Sequence, residues 1–227
     1  MNNDYDNWLS VRNRIDLACQ KAGRKSTEIT LCAVSKKVSY DRIAALHDQG
    51  QICFGENYVQ EAIAKVTDSP EEICWHFIGH LQTNKVKQVV GNFDLIQTVD
   101  SVRLLSEIEK RSEQMNIEQP ILIEYQLDNS GAKSGVTDSE FYDLLEQCVA
   151  SKFVQLKGLM AMPPFGIPEA QTTQLFRKMK GLFDALPPEN RIILSMGMSG
   201  DFELAIQEGA TLIRVGTSIF GDRNQMI

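Results

Sequence analysis

Eight short apolar runs, each set off from the next by a stretch with helical spacing, limit most tightly what this chain can fold into. The runs cover residues 29–36, 51–57, 74–79, 93–99, 120–127, 156–162, 192–196 and 211–216. Between them, apolar residues recur every three or four positions, which marks one buried face of a helix. The cleanest case is Leu175, Phe176, Met179, Leu182, Phe183 and Leu186, stopped by Pro187 and Pro188. Ser39 is a candidate cap for the helix after the first run, and Asp100 or Ser101 for the helix that carries Leu104, Leu105 and Ile108. A further helix precedes the first run. It covers residues 4–23, with Trp8, Val11, Ile15, Ala18 and Ala22 on one face and Gly23 as its stop. Strict alternation of strand and helix predicts parallel strands joined by right-handed crossovers. Eight such units close into a barrel. The expected fold is therefore an α/β single-domain (β/α)8 barrel of the TIM type over residues 1–227. Little chain follows the eighth run, so the extra N-terminal helix is expected to occupy the place of the last one. A doubly wound open sheet is the rival, but no G-x-G-x-x-G follows the first strand.

Charge and cysteine usage narrow the partners. Thirty acidic residues against 23 basic ones leave a net charge of −7. Such a surface argues against nucleic-acid or anionic-membrane binding. Five cysteines, at 19, 32, 53, 74 and 148, form no C-x-x-C pair, and most sit inside apolar runs. They read as reduced, buried small hydrophobes of a cytoplasmic protein, not as a disulfide framework. The polar, acidic start lacks the pattern of a signal peptide, and no apolar run is long enough to span a bilayer.

In barrels of this kind the chemistry sits at the C-terminal ends of the strands. The first strand ends in Lys36. Burying a charged lysine is costly, so such a site favours the neutral, nucleophilic amine and suits Schiff-base chemistry with a carbonyl. A plain surface charge at the strand end is the competing reading. The second strand ends in Glu56 and Asn57, the third in Gly79-His80, the fourth in Asp100, and the fifth in Asp128 and Asn129. The seventh and eighth run into glycine and hydroxyl residues: Ser199 and Gly200, then Gly216, Thr217 and Ser218. Glycine lets backbone approach an anion closely, and N–H groups at a helix start point at it. These two loops are the expected phosphate cradle, against the alternative of two ordinary glycine turns. Arg214 interrupts an apolar strand, so it must be paired, either with a carboxylate such as Glu56 or with a ligand atom inside the barrel mouth. His76 and His80 lie four apart across a strand and its turn, without an evident third ligand, and no metal centre is expected. No G-x-S-x-G elbow is present, and no cysteine is read as having an obvious histidine partner.

A lysine at one strand end and a phosphate cradle at two others suggest a phosphorylated aldehyde, of which pyridoxal 5′-phosphate (PLP) is the obvious one. The chain resembles the PLP homeostasis proteins, the YggS-like group. The matching runs are Ala33-Val34-Ser35-Lys36, Phe54-Gly55-Glu56-Asn57-Tyr58-Val59-Gln60-Glu61 and Trp75-His76-Phe77-Ile78-Gly79-His80-Leu81-Gln82-Thr83-Asn84-Lys85. Later come Lys133-Ser134-Gly135, Gly158-Leu159-Met160-Ala161, Ser195-Met196-Gly197-Met198-Ser199 and Arg214-Val215-Gly216-Thr217-Ser218-Ile219-Phe220-Gly221. They span the whole chain in order. Two departures stand out: residues 128–133 form a loop about one residue shorter than the family's usual form, and Gly200 stands where the family is often more polar.

The resemblance implies a barrel similar to the N-terminal domain of alanine racemase, with PLP held as a Schiff base on Lys36. It implies that Asn57 is a ring-side contact and that Ser199, Gly200, Gly216 and Thr217 form the phosphate cup. It implies that Arg214 meets the pyridine nitrogen. An arginine donates a hydrogen bond but does not give up a proton, so the ring nitrogen stays unprotonated and the cofactor is a weak electron sink. The expected function is buffering and delivery of PLP in the cytoplasm by a monomer, with apo PLP-dependent enzymes as recipients and no catalytic residues assigned. Racemases of this fold use a second domain for the second acid/base, and this chain is expected to lack it. The alternatives are a minimal PLP-dependent racemase or lyase using His80 or Tyr58 as second base, a phosphosugar barrel whose substrate meets Lys36, and a regulatory protein whose PLP state tunes a partner. Lys37, Lys85 and Lys133 are conceivable secondary PLP sites.

Overall fold

Eight parallel strands close on themselves in sequence order, β1 pairing with both β2 and β8. They are β1 Thr30–Val34, β2 Cys53–Glu56, β3 Cys74–Phe77, β4 Leu95–Val99, β5 Gln119–Tyr125, β6 Val154–Ala161, β7 Ile193–Ser195 and β8 Leu212–Val215. The structure is a computed structural model and describes residues 4–127 and 135–221. Helices α1 Asp4–Lys21, α2 Tyr40–His47, α3 Val59–Thr67, α4 Val86–Val89, α5 Val102–Met115, α6 Asp138–Ala150, α7 Glu169–Asp184, α8 Phe202–Gln207 and α9 Thr217–Phe220 surround them. The alternation read from the sequence is the alternation observed. Most strands are two or three residues shorter than the apolar runs that announce them, because the ends of each run turn over the barrel rim. Asp128, Asn129, Lys133 and Ser134 fall outside the described residues.

Strand register sorts the side chains into two sets. Cys32 sits beside Arg214, Cys53 beside Cys74, Gly55 beside His76 and Met160 beside Ser195. The alternate residues Ala33, Phe54, Trp75, Phe77 and Ile96 belong to one large apolar cluster with the helix residues Val11, Ile43, Ala62, Ile108 and Phe176. That cluster is the main core, between strands and helices. The first set therefore lines the lumen, as period-two alternation requires. Lumen glycines have steric reasons. Gly158, at a register shift between β5 and β6, has φ +146°, and a Cβ there would stand 2.0 Å from the Ile193 carbonyl oxygen.

Helix α1 packs on α8 and α9, where an outer helix after β8 would lie. Its first turn is tied down by charge. Asp4 accepts from Arg42 Nε at 2.7 Å and from Nη2 at 2.6 Å, and the same Nη2 donates to the Phe220 carbonyl at 2.9 Å. Arg24 reaches from beyond the end of α1 to the carbonyls of Ile206 and Ala210. Ser101 caps α5 by accepting from the Leu104 amide, whereas Ser39 stands at the start of α2 with no side-chain cap bond.

Candidate functional site

Lys36 is separated from β1 by one residue, Ser35, and is half-buried. The backbone on either side of it is held by a cluster of charges on α3 and β2. Lys65 Nζ donates to the Ser35 carbonyl at 3.0 Å, to Glu56 Oε1 at 2.8 Å and to Glu61 Oε1 at 2.7 Å. Ser35 Oγ donates to Glu56 Oε1 at 2.7 Å, and its amide donates to the Gly55 carbonyl at 2.9 Å. On the other side the Lys37 amide donates to Glu61 Oε1 at 2.5 Å, with Lys37 at φ +59°. That left-handed conformation is uncommon for a residue with a side chain and needs support of this kind. The clamp fixes where the Lys36 side chain leaves the strand.

Glu56 is wholly buried, and Lys65 is 8% exposed. Burial pushes the Glu56 carboxyl up, and the charge and hydrogen bond of Lys65 and the Ser35 hydroxyl pull it back. Arg214 does not hold Glu56, contrary to one reading of the sequence. Glu56 follows the outward register beside Phe77, so Lys65 meets it from α3. Sequence reasoning missed Ser35, Glu61 and Lys65. The available signal was the i, i+4 spacing of Glu61 and Lys65 on α3.

The expected cofactor residues gather at the same end of the barrel. Strand β1 lies between β8 and β2, so the loops after all three are neighbours on the rim. Asn57 follows β2, and its Oδ1 is buried without a hydrogen-bond partner among the described residues. The loop after β3 presses on it closely: a Cβ on Gly79 would stand 2.1 Å from the Asn57 carbonyl oxygen. The loops after β7 and β8 are joined by the Ser218 amide, which donates to Ser199 Oγ at 3.3 Å. Gly200 is exposed, and a Cβ on it would meet nothing within 4 Å, so its backbone is open to an approaching group. Gly216 is buried and Thr217 exposed. Asp201 turns back on its own loop and accepts from the Met198 amide at 2.6 Å. Burial pushes its carboxyl up, while that hydrogen bond and the charge of Arg214 pull it down.

Arg214 lies deeper, in the lumen, 4% exposed. Its Nη1 donates to Ser195 Oγ and its Nη2 to the Ala161 carbonyl at 3.0 Å. Guanidinium carries five donors and no acceptor, so these contacts leave donors for a further partner above. Burial pulls its pKa down, and the charges of Cys32, Glu124 and Asp201 pull it up.

Below Arg214 the lumen holds a polar ladder that sequence reading did not assemble. Ser195 Oγ lies 2.6 Å from Gln97 Oε1, and Gln97 Nε2 lies 2.9 Å from His76 Nδ1. Three cysteines surround His76. Cys74 Sγ is 3.4 Å from Nε2, Cys53 Sγ is 3.5 Å from Nδ1 and 3.8 Å from Nε2, and Cys32 is the third. The thiols hydrogen-bond to one another through Cys53. Hydrogen bonding from Cys53 lowers Cys32 to about 6 and Cys74 to about 5, and pushes Cys53 well up. Burial works to lower His76, but the contacts with Cys32 and Cys74 outweigh it and raise the ring to about 9. A protonated ring needs the Gln97 amide turned with its oxygen toward Nδ1. Ser195 accepts that orientation equally, because a hydroxyl donates or accepts.

His80 and Tyr58, the alternative second bases, are both exposed. The His80 side chain is 63% accessible with Nδ1 3.6 Å from Asp100, and Tyr58 is 50% exposed. They line a cleft of about 330 Å³ with Asn57, Gln82 and Lys85. Among the described residues, no helix is long and apolar enough to cross a membrane.

These residues fit a phosphorylated pyridine aldehyde: a lysine after β1, an orphaned amide oxygen after the adjacent β2, an open glycine loop after β7 and a buried donor on β8. The model of the alanine racemase N-terminal domain matches residues 10–224. A pyridoxal phosphate homeostasis protein of Aquifex aeolicus is 40% identical over 217 residues, covering 94% of this chain and 95% of that one. PipY of Synechococcus elongatus, solved with PLP bound, superposes with a TM-score of 0.79 at 35% identity, covering 93% of this chain and 100% of PipY. Alanine racemase of Clostridium difficile shares the fold alone, with a TM-score of 0.76 at 13% identity over 58% of its length. The chain belongs to the pyridoxal phosphate homeostasis protein family, built on the barrel of the alanine racemase N-terminal domain.

Proposed function

We propose that this protein binds PLP at the C-terminal mouth of the barrel, carries it as a Schiff base on Lys36, and buffers and delivers it without turning over amino acids. The observation that carries this reading is the clamp on both sides of Lys36: Lys65 on the Ser35 carbonyl and Glu61 on the Lys37 amide. A lysine serving only as a surface charge needs no such fixing of the backbone around it. When bound, PLP supplies an aldehyde that condenses reversibly with a primary amine.

The chain's own residues do the rest. Lys36 presents its amine at the rim, and Asn57 offers the orphaned Oδ1 at the ring's side. The Ser199–Gly200 and Gly216–Thr217 loops, linked through Ser218, offer backbone N–H groups and hydroxyls to the phosphate. Arg214, held by Ser195 and the Ala161 carbonyl, offers an N–H to the ring nitrogen and withholds a proton from it. Two-base chemistry would need a positioned, sheltered acid/base on the far face, and His80 and Tyr58 stand in solvent. Recipients are apo PLP-dependent enzymes, the protein works as a monomer, and the site of action is the cytoplasm.

The test is transfer. Protein loaded with PLP and desalted is mixed with an apo PLP-dependent enzyme, and recovery of that enzyme's activity is followed beside a Lys36→Ala control. The proposal expects recovery with the wild type only, and no saturable consumption or racemisation of amino acids by the loaded protein alone. Saturable turnover, or failure to restore any apo-enzyme, would overturn it.

A further inference from the structure

We propose that Cys32, Cys53, Cys74 and His76 form a binding site for a thiophilic divalent cation, zinc by chemistry, at the N-terminal end of the barrel lumen. The site is distinct from the Lys36 mouth and does not depend on the PLP reading.

Three neighbouring strands converge on it. Cys32 comes from β1, Cys53 from the start of β2, and Cys74 and His76 from β3, all on the lumen side by register. The ligand atoms of Cys32, Cys53 and His76 lie within 4.8 Å of one another, and Cys74, outside that group, meets His76 from the more open side. In a tetrahedral zinc site, with bonds near 2.3 Å to sulfur and 2.0–2.1 Å to nitrogen, sulfur and nitrogen ligands stand about 3.6 Å apart. His76 Nε2 has Cys74 Sγ at 3.4 Å and Cys53 Sγ at 3.8 Å, which brackets that edge. Gly55 makes room for the group: a Cβ there would stand 2.8 Å from Cys32 Sγ.

The surroundings suit a metal-bound histidine. Gln97 reaches Nδ1 at 2.9 Å and is braced by Ser195 at 2.6 Å. With its amide oxygen toward Nδ1–H, Gln97 fixes the ring and leaves Nε2 to the cation, the usual arrangement of an outer partner on a ligating imidazole. Zinc with three thiolates carries a net charge of −1, and Arg214, beside Cys32 in register, offsets it inside the lumen. The protons still held by the thiols and by His76 Nε2 leave to solvent when the cation binds. Cys74 is only half-buried, so the lower end of the barrel gives the cation a way in.

The experiment measures metal directly. Full-length protein is produced with zinc in the medium, kept reduced, and its metal content determined beside Cys53→Ser and Cys148→Ser. Cys148 lies on α6, away from the cluster. About one zinc per chain is expected in the wild type and Cys148→Ser, and background in Cys53→Ser. Gln97→Leu is expected to bind zinc about 10–100-fold more weakly. Cobalt(II) added to metal-stripped wild type reads the same site without any variant having to fold. A tetrahedral ligand-field spectrum with thiolate-to-cobalt charge transfer supports the site. Metal-free wild type with all five thiols titratable, together with no such cobalt spectrum, would overturn it.

Discussion

Replacing Lys65 by methionine removes the hub of the clamp behind Lys36. Lys65 Nζ makes three contacts within 3.0 Å, to the Ser35 carbonyl, Glu56 and Glu61. The substitution keeps most of the stem's volume and deletes the charge. Glu56 is 0% exposed and is then left as a buried carboxylate held by the Ser35 hydroxyl. Breaking a buried pair from one side costs about 3–5 kcal/mol, because the remaining charge is uncompensated. For a chain of this size each kcal/mol lowers Tm by about 2–4 °C, so a fall of about 6–20 °C is expected. The pH dependence has a definite sign. Burial already holds the Glu56 pKa above its ordinary 4.5, so the folded state takes up this proton more readily than the unfolded state. The associated penalty is absent below the ordinary value and grows as pH rises through the folded one. Without Lys65 the folded value moves further up, so the loss of stability is larger at pH 8 than at pH 5. Urea unfolding of Lys65→Met, Glu56→Gln and the double variant, each at both pH values, checks this. The double variant should recover much of the Lys65→Met loss. A loss below about 1 kcal/mol with no pH dependence would mean that the pair is solvated and the clamp does not exist.

Three further outcomes follow from the same geometry. Gly79→Ala should cost about 1–3 kcal/mol and weaken PLP retention, because its Cβ would stand 2.1 Å from the Asn57 carbonyl and displace the loop carrying the orphaned amide; thermal melts with a PLP titration read both. Arg42→Ala should destabilise by about 2 kcal/mol, since buried Asp4 and the Phe220 carbonyl lose a charged donor where α1 closes on α9; chemical denaturation measures it. Arg214→Met should cost about 1–3 kcal/mol by stripping a donor from Ser195 and the Ala161 carbonyl. It should also weaken PLP binding at least about tenfold, a 1.4 kcal/mol effect, in an equilibrium titration.

The fold was legible because period and order are local properties. Runs such as residues 192–196 and faces such as Phe176, Met179 and Phe183 each report their own state, and strict alternation leaves few topologies. Strand ends were harder, because burial and inter-strand bonding continue past the regular ladder, as at Ser35 and Ile78, whose amides still donate to the Gly55 and Glu56 carbonyls. At the mouth, the chain positions of Lys36, Asn57, Gly216 and Thr217, within two residues of a strand end, and of Ser199 and Gly200, in the loop after β7, followed from fold alone. What supports them did not. Lys65 on α3 reaches Glu56 and Ser35 only after β1 and β2 are paired, and no spacing in the chain encodes that meeting. The lumen was the least legible part. Cys32, Cys53, Cys74 and His76 read as scattered small hydrophobes and a strand histidine: Cys74 and His76 share a face of β3, but only strand register brings Cys32 and Cys53 to them.

The most direct test of the central claim is to mix purified protein with PLP, reduce with borohydride and map the modified peptide, with Lys36→Ala alongside. The account predicts a yellow wild type before reduction and one dominant adduct on Lys36, absent in the variant. A wild type that stays colourless with PLP, or whose adduct maps to Lys37 or Lys85 and survives in Lys36→Ala, would contradict it.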